Sequence, residues 1–191
     1  MKCDDIQMNN CGTQTIETQR LILRRITVED APAMYKNWAS DPEVTKYLTW
    51  QPHASEDVTR MLLDSWAASY AKPNFYNWAI TLKSNGAEPI GSIAAVSLNE
   101  DLGIAHIGYC LSRAFWHMGI MTEALGAVIR FFFDEVGAQR VESRHDSHNP
   151  HSGMVMLKCG MQYEGTLRRA DKNNQGICDV CCYAILNPKF N

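Results

Sequence analysis

The chain has 191 residues, 46% hydrophobic and 20% charged, with a formal net charge of −3, a length that fits one domain with a sizeable core rather than two. Without a basic field, nucleic acid is not an expected partner, and no apolar run approaches the roughly 18 residues of a membrane span, so no membrane partner is expected either. The start, Met1-Lys2-Cys3-Asp4-Asp5, is polar and acidic with no apolar signal core, so the expected compartment is the cytoplasm.

Residues 1–16 read as a polar N-terminal lead-in, and residues 17–191 as one domain. Arg20 to Ile26 forms a first strand. A helix from Thr27 or Glu29 to Ser40 follows, with acids in its first turn and Met34, Tyr35 and Trp38 on one face. Asp41-Pro42 breaks it. After a loop from Tyr47 to His53, Ser55 caps a second helix in which Val58, Met61, Leu62, Trp66 and Tyr70 recur at helical spacing. Phe75–Leu82 and Ile90–Leu98 pair as a hairpin through Lys83-Ser84-Asn85-Gly86, and Ile104–Leu111 extends the meander.

That third strand runs through a short turn, Ser112 to Gly119, into a long apolar-faced helix from Ile120 to about Val136, with Gly137 closing it. A strand emptying into a helix N-terminus through a glycine-containing turn presents free backbone N–H groups and a positive dipole end, a combination that holds phosphate or diphosphate. Arg140 to His145 is another strand. Asn149-Pro150 opens a helix, as N-cap and first-turn proline, that ends at Gly160. Met161–Leu167 and Ile177–Leu186 are the closing strands, with the turn-forming run Asp171 to Gly176 between them. The fold class is therefore α/β: a single mixed, mostly antiparallel twisted sheet with helices on both faces.

Seven cysteines, an odd number scattered along the chain, exclude an all-disulfide framework and point to reduced thiols. Cys178-Asp179-Val180-Cys181-Cys182 lacks the second Cys/His pair that a closed zinc site needs, so no metal is expected.

Three stretches carry a resemblance. They are Glu17-Thr18-Gln19-Arg20-Leu21-Ile22-Leu23-Arg24, then Ile107-Gly108-Tyr109 with Trp116-x-x-Gly119-x-Met121-Thr122-Glu123-Ala124, then Asn149-x-x-Ser152 leading to Gly160-Met161-x-Tyr163-Glu164-Gly165. In order and spacing the chain from about residue 17 resembles the GNAT N-acetyltransferases, specifically the ribosomal-protein N-terminal acetyltransferase (RimJ/RimL-like) group. The resemblance implies the GNAT, or acyl-CoA N-acyltransferase, fold and acetyl-CoA as co-substrate. It also implies direct attack of a primary amine in a ternary complex, the amine being a protein N-terminus or a small molecule. A homodimer is compatible with it. Its alternative is a catalytically weak or inactive GNAT-like module that binds acyl-CoA, motivated by His117 and Met118, where the subgroup commonly has Gly and Lys.

On this resemblance the turn Trp116-His117-Met118-Gly119-Ile120-Met121-Thr122 receives the diphosphate. The backbone of Tyr109, Cys110 and Leu111 grips the pantetheine arm where the sheet splays, and Asn149 and Ser152 contact the cofactor. His106 lies where several GNAT enzymes carry a glutamate base, and an imidazole titrating near pH 6.5 suits proton abstraction. Its alternative is a partly buried histidine bonded to a backbone carbonyl. Asp171 falls where RimL-like enzymes place an acidic residue proposed as base; its alternative is a solvated turn aspartate. Ser152 is the expected acid for the departing thiolate, or a serine satisfying a helix start. Cys110 as an acyl-enzyme nucleophile has no evident base partner. Tyr47, Trp50, His53 and Tyr76 are the expected walls of the acceptor pocket, while Trp78, on a strand, reads as core.

Overall fold

The structure, a computed structural model, describes residues 8–190. Eight strands form one sheet: β1 (Ile16–Glu17), β2 (Leu21–Arg24), β3 (Asn77–Leu82), β4 (Pro89–Asn99), β5 (Ile104–Leu111), β6 (Arg140–Asp146), β7 (Gln162–Asn173) and β8 (Gly176–Leu186), in the order β1-β2-β3-β4-β5-β6-β8-β7. Every pairing is antiparallel except β5 with β6. That parallel contact covers only Ile104–His106 against Arg140–Glu142.

Helices cover both faces. On one, α4 (Ile120–Phe131) turns Met121, Ala124, Leu125 and Val128 onto the sheet at helical spacing. Beneath it Tyr76, Trp78, Phe131 and Phe132 stack edge to face in the larger core. The helix α5 (Pro150–Lys158) packs on the same side through Met156. On the other face, α1 (Ala31–Met34), α2 (Pro42–Thr45) and α3 (Glu56–Ser69) enclose a smaller core of Ile26, Met34, Trp38, Leu63 and Ala79.

Three expectations change. The helix expected over 27–40 is composite: a 3-10 turn (Val28–Asp30), then α1, then a π-helical turn (Tyr35–Ala39). Its widening is closed by Ser40, whose N–H and hydroxyl both donate to the Tyr35 carbonyl, at 3.1 and 2.7 Å. The Asp41-Pro42 break also starts something, because the Asp41 carboxylate accepts the Glu43 N–H and caps α2. Finally, the stretch 168–173 is strand: β7 runs to Asn173, with only Asn174 and Gln175 left as the turn to β8. An edge strand exposed along nearly its whole length shows no alternation to betray it.

The described part of the lead-in is docked on β3 and the residues before it. The Thr13 hydroxyl donates to the Phe75 carbonyl and accepts the Asn77 N–H, and the Gln14 carbonyl accepts the Trp78 indole N–H. Residues 1–7, Cys3 among them, lie outside the described residues. The six described cysteines are free, Cys178, Cys181 and Cys182 standing on β8. Among the described residues no group of three or more His, Cys, Asp or Glu side chains is arranged to hold a metal. No helix there is long and apolar enough to cross a membrane.

Candidate active site

Because β5 and β6 part after His106 and Glu142, the edge of β5 beyond them faces a gap rather than a strand. Two cavities open into that gap. One, of about 430 Å³, runs from Tyr109–Leu111 to the start of α4. The other, of about 1050 Å³, lies on the α1–α3 side. Tyr47, Leu48, Tyr109, Cys110, Asn149 and Ser152 line both, so these residues mark the junction.

The turn at the far end of the smaller cavity leaves the start of α4 without a side-chain cap. The Trp116 indole N–H donates to the Leu111 carbonyl at 2.8 Å, pulling the chain back on itself. His117 (φ 62°) and Gly119 (φ 72°) both take left-handed backbone, which is free for glycine and costs a non-glycine residue about 1–2 kcal/mol. No side chain caps α4 at Gly119, so the N–H groups of its first turn face the cavity with the dipole behind them. His117 meets His151 of α5 with ring centroids 5.0 Å apart, and Lys158 lines the same cavity about two turns further along α5. Of the expected turn residues, His117, Gly119, Ile120, Met121 and Thr122 line this cavity together with Trp116; Met118 does not, and its side chain is exposed.

A brace from the turn between β1 and β2 holds this turn. The Arg20 guanidinium donates to the Met118 carbonyl at 3.0 Å and to Glu123 at 2.6 Å. The Arg20 N–H and the Thr18 hydroxyl both donate to the other Glu123 oxygen, at 2.9 and 2.6 Å. Burial raises the Glu123 carboxyl, but these bonds outweigh it and hold the group below the ordinary carboxylate range.

At the junction the Ser152 hydroxyl donates to the Tyr109 oxygen at 3.0 Å, while the Tyr109 hydroxyl donates to the Ser152 carbonyl at 2.9 Å. Burial pushes the Tyr109 phenol well above its usual range, so it keeps its proton. Asn149 stands at the cap position of α5, yet its side chain makes no capping bond; the amide is left for the junction. The Cys110 thiol sits 3.3 Å from the Ser92 hydroxyl and burial raises it. With no base against it, it is a packing thiol rather than a nucleophile.

His106 and Asp171 line only the larger cavity. The His106 Nδ1 is 3.3 Å from a Glu142 oxygen, not at a backbone carbonyl. Burial lowers its proton affinity and Arg144 adds to this, while Glu142 opposes it. Cys110 stands four positions beyond His106 on β5, about 13 Å at strand rise, so His106 does not itself stand at the junction. Asp171 is a strand residue, 3.1 Å from Arg144, rather than a solvated turn aspartate.

Tyr47, Trp50 and His53 line the larger cavity, with Trp50 and His53 rings 5.3 Å apart and the His53 Nδ1 2.7 Å from the Thr59 hydroxyl. Burial lowers the His53 proton affinity. Tyr76 borders the cavity, but the residue is only 1% exposed. Its hydroxyl is engaged by Asn10 and Cys11, so it backs the wall from the core. Trp78 is core, as expected. Sequence reasoning gave no role to Thr18, Arg20, His151, Lys158 or Arg144. The first two stand in the resembling stretch 17–24, the one signal that marked them.

Residues 20–162 match the family model described as an acetyltransferase (GNAT) domain. The uncharacterized N-acetyltransferase YoaA of Bacillus subtilis (strain 168) is 31% identical over 174 residues, covering 91% of this chain and 97% of that protein. The ribosomal-protein-serine acetyltransferase of Escherichia coli (strain K12) is 34% identical over 97 residues, 51% of this chain and 54% of that one. The solved structure of RimL, a ribosomal L7/L12 alpha-N-protein acetyltransferase in complex with coenzyme A, shares the fold with a TM-score of 0.81. It is 22% identical, with 91% of this chain and 98% of that one covered.

Proposed function

Because the chain belongs to the GNAT acetyltransferase family, we propose that it moves an acetyl group from acetyl-CoA to a primary amine by direct attack in a ternary complex. The observation that carries this reading is the meeting of two cavities at Tyr109, Asn149 and Ser152, one of them ending on the uncapped turn at Gly119. The residues present fit the cofactor. First-turn N–H groups of α4 receive a diphosphate, with the His117 and His151 rings and the Lys158 side chain as donors around it. The free edge of β5 from Tyr109 to Leu111 offers backbone groups to an amide-bearing arm. Acetyl-CoA supplies an activated acyl carbon and a sulfur leaving group.

The chain's own residues then manage protons. An amine near its solution pKa arrives protonated, and neutral His106 takes that proton through water in the larger cavity. In the ternary complex the Ser152 hydroxyl exchanges the hydrogen bond it donates to Tyr109 for one to the departing sulfur. A thiol with a pKa of about 8.5 needs only this modest help. Asp171 is held by Arg144 and serves as a charge in the wall rather than as the first base. The named relatives that act on ribosomal proteins support an amine acceptor, either a protein N-terminus or a small molecule.

Initial rates of thiol release, with acetyl-CoA and an amine varied together, test the scheme. Direct attack gives intersecting reciprocal plots. Parallel plots contradict it and return Cys110 to consideration as an acyl carrier.

A further inference from the structure

The turn from β6 into α5 is tied to one histidine that the transfer scheme does not use. His145, the last but one residue of β6, is buried, and its Nδ1 lies 2.7 Å from the Asp146 carbonyl. A carbonyl only accepts, so Nδ1 carries the hydrogen and Nε2 is left as the lone pair. That lone pair is buried and has no hydrogen-bond partner among the described residues. The Tyr183 ring stacks on the imidazole, with centroids 5.5 Å apart and planes at 30°. The ring is thus pinned at one nitrogen and along one face. A phenylalanine would leave no orphaned atom there, but it could not make the Nδ1 bond.

His145 meets the start of α5 at two points. The Asp146 carbonyl that takes its Nδ1–H also accepts the Asn149 N–H at 2.8 Å, and the Asn149 carbonyl accepts the Ser152 N–H at 3.1 Å. At the second point the Nε2 edge of the ring lies against Gly153. A Cβ on that glycine would sit 2.5 Å from Nε2 and 3.1 Å from the Tyr183 hydroxyl, well inside ordinary packing distance. Gly153 lies within α5 and takes no left-handed backbone, so its missing side chain serves this close approach. Ser152 stands between the two points, its hydroxyl and carbonyl both bonded to Tyr109. The register of β5 on β6, Ile104 with Arg140 and His106 with Glu142, would set Tyr109 level with His145 if carried beyond the gap. The ring therefore sits where the sheet has opened, beneath the turn that carries the junction residues.

We propose that His145 is a positioning residue for acetyl transfer: its pinned ring sets the height of the first turn of α5 above the sheet, and with it the places of Asn149 and Ser152 at the junction. This rests on the acetyl-transfer reading above and adds to it a residue that touches neither substrate. Its effect is on geometry, and a misplacement of about 1 Å at a reacting centre costs on the order of a hundredfold in rate. His145 and Gly153 act as one unit, because the ring fits only where the helix lacks a side chain.

The test is a double-mutant cycle on thiol release from acetyl-CoA, with phenylethylamine, spermidine and an eight-residue peptide offered as acceptors. His145→Asn keeps an N–H for the Asp146 carbonyl and removes the ring edge beneath Gly153. Gly153→Ala keeps the ring and pushes the turn off it. Each is expected to lower kcat, counted per folded molecule, by about tenfold or more, while the KM for the amine changes by less than about twofold. In the double variant the new methyl fills the space that the ring has left, and kcat returns to within about threefold of the parent. Should Gly153→Ala alone not fold, His145→Asn and the double variant, in which the clash is relieved, carry the comparison. Losses that persist or add in the double variant overturn the proposal and leave acetyl transfer standing. So does a His145→Asn enzyme whose kcat per folded molecule equals that of the parent. No thiol release from the parent with any amine, alongside a Tm raised by coenzyme A, overturns the transfer reading itself and this proposal with it.

Discussion

His106 must be unprotonated to accept a proton, and its burial on β5 favours that form despite Glu142 beside it. Activity therefore rises with pH through the histidine's lowered value and levels off above it. The acid limb of the kcat/KM profile should have its midpoint below about 6.5, and His106→Gln should abolish that limb. A limb that survives the substitution assigns the titration to another group. At the junction, Ser152→Ala should cost about tenfold in kcat, and Tyr109→Phe, which removes the hydroxyl that holds Ser152, should give a similar loss in stopped assays. An unchanged kcat in both leaves the pair structural. The next residue, Gly153, has a steric role: a Cβ there would sit 2.5 Å from His145 Nε2. Gly153→Ala should lower stability by about 1–3 kcal/mol in denaturant unfolding. His106 and Ser152 were legible in the sequence because residue type and motif position single them out. The released side chain of Asn149 was not, because a cap position in sequence says nothing about where the amide turns.

The turn into α4 works as an element only because β2's approach braces it. Glu123 is held ionised by Thr18 and Arg20. A carboxyl depressed in the fold contributes stability above its unfolded value of about 4.3 and loses it as pH falls through the lower folded value. Glu123→Gln should flatten that part of the acid-unfolding curve and weaken coenzyme A binding by calorimetry. An unaltered curve would mean the brace is idle. His151→Ala and Lys158→Ala should each weaken coenzyme A binding by about threefold to tenfold, since both stand exposed at the cavity rim where charge is screened. The glycine turn, the helix and their order could be read from composition and periodicity alone. The brace could not, because it joins residues about a hundred positions apart. The hairpin tip was hidden for a different reason: Asp171 to Gly176 has turn chemistry, yet the pairing of Asp171 with Cys178 extends the ladder almost to its end.

Across the whole molecule, one departure from regularity makes the site. A sheet of eight strands loses its ladder at a single parallel pair, and both cavities depend on that gap. Seven of the eight strands and their succession along the chain were visible in the sequence as runs of β-branched and aromatic residues between turn signals, while β1, two residues long at the end of the polar lead-in, was not. The splay was visible only through the family resemblance, because pairing partners across a crossover leave no local trace. The bonds from Asn174 that tie the β7–β8 hairpin to the loop at Thr45–Gln51 could not be read at all. The most direct test of the account is the thermal midpoint of the protein titrated with acetyl-CoA. A ligand at one hundred times its Kd adds about 2.7 kcal/mol, so the midpoint should climb by about 5–10 °C for a chain of this size. A midpoint that does not move at hundreds of micromolar acetyl-CoA would contradict the account.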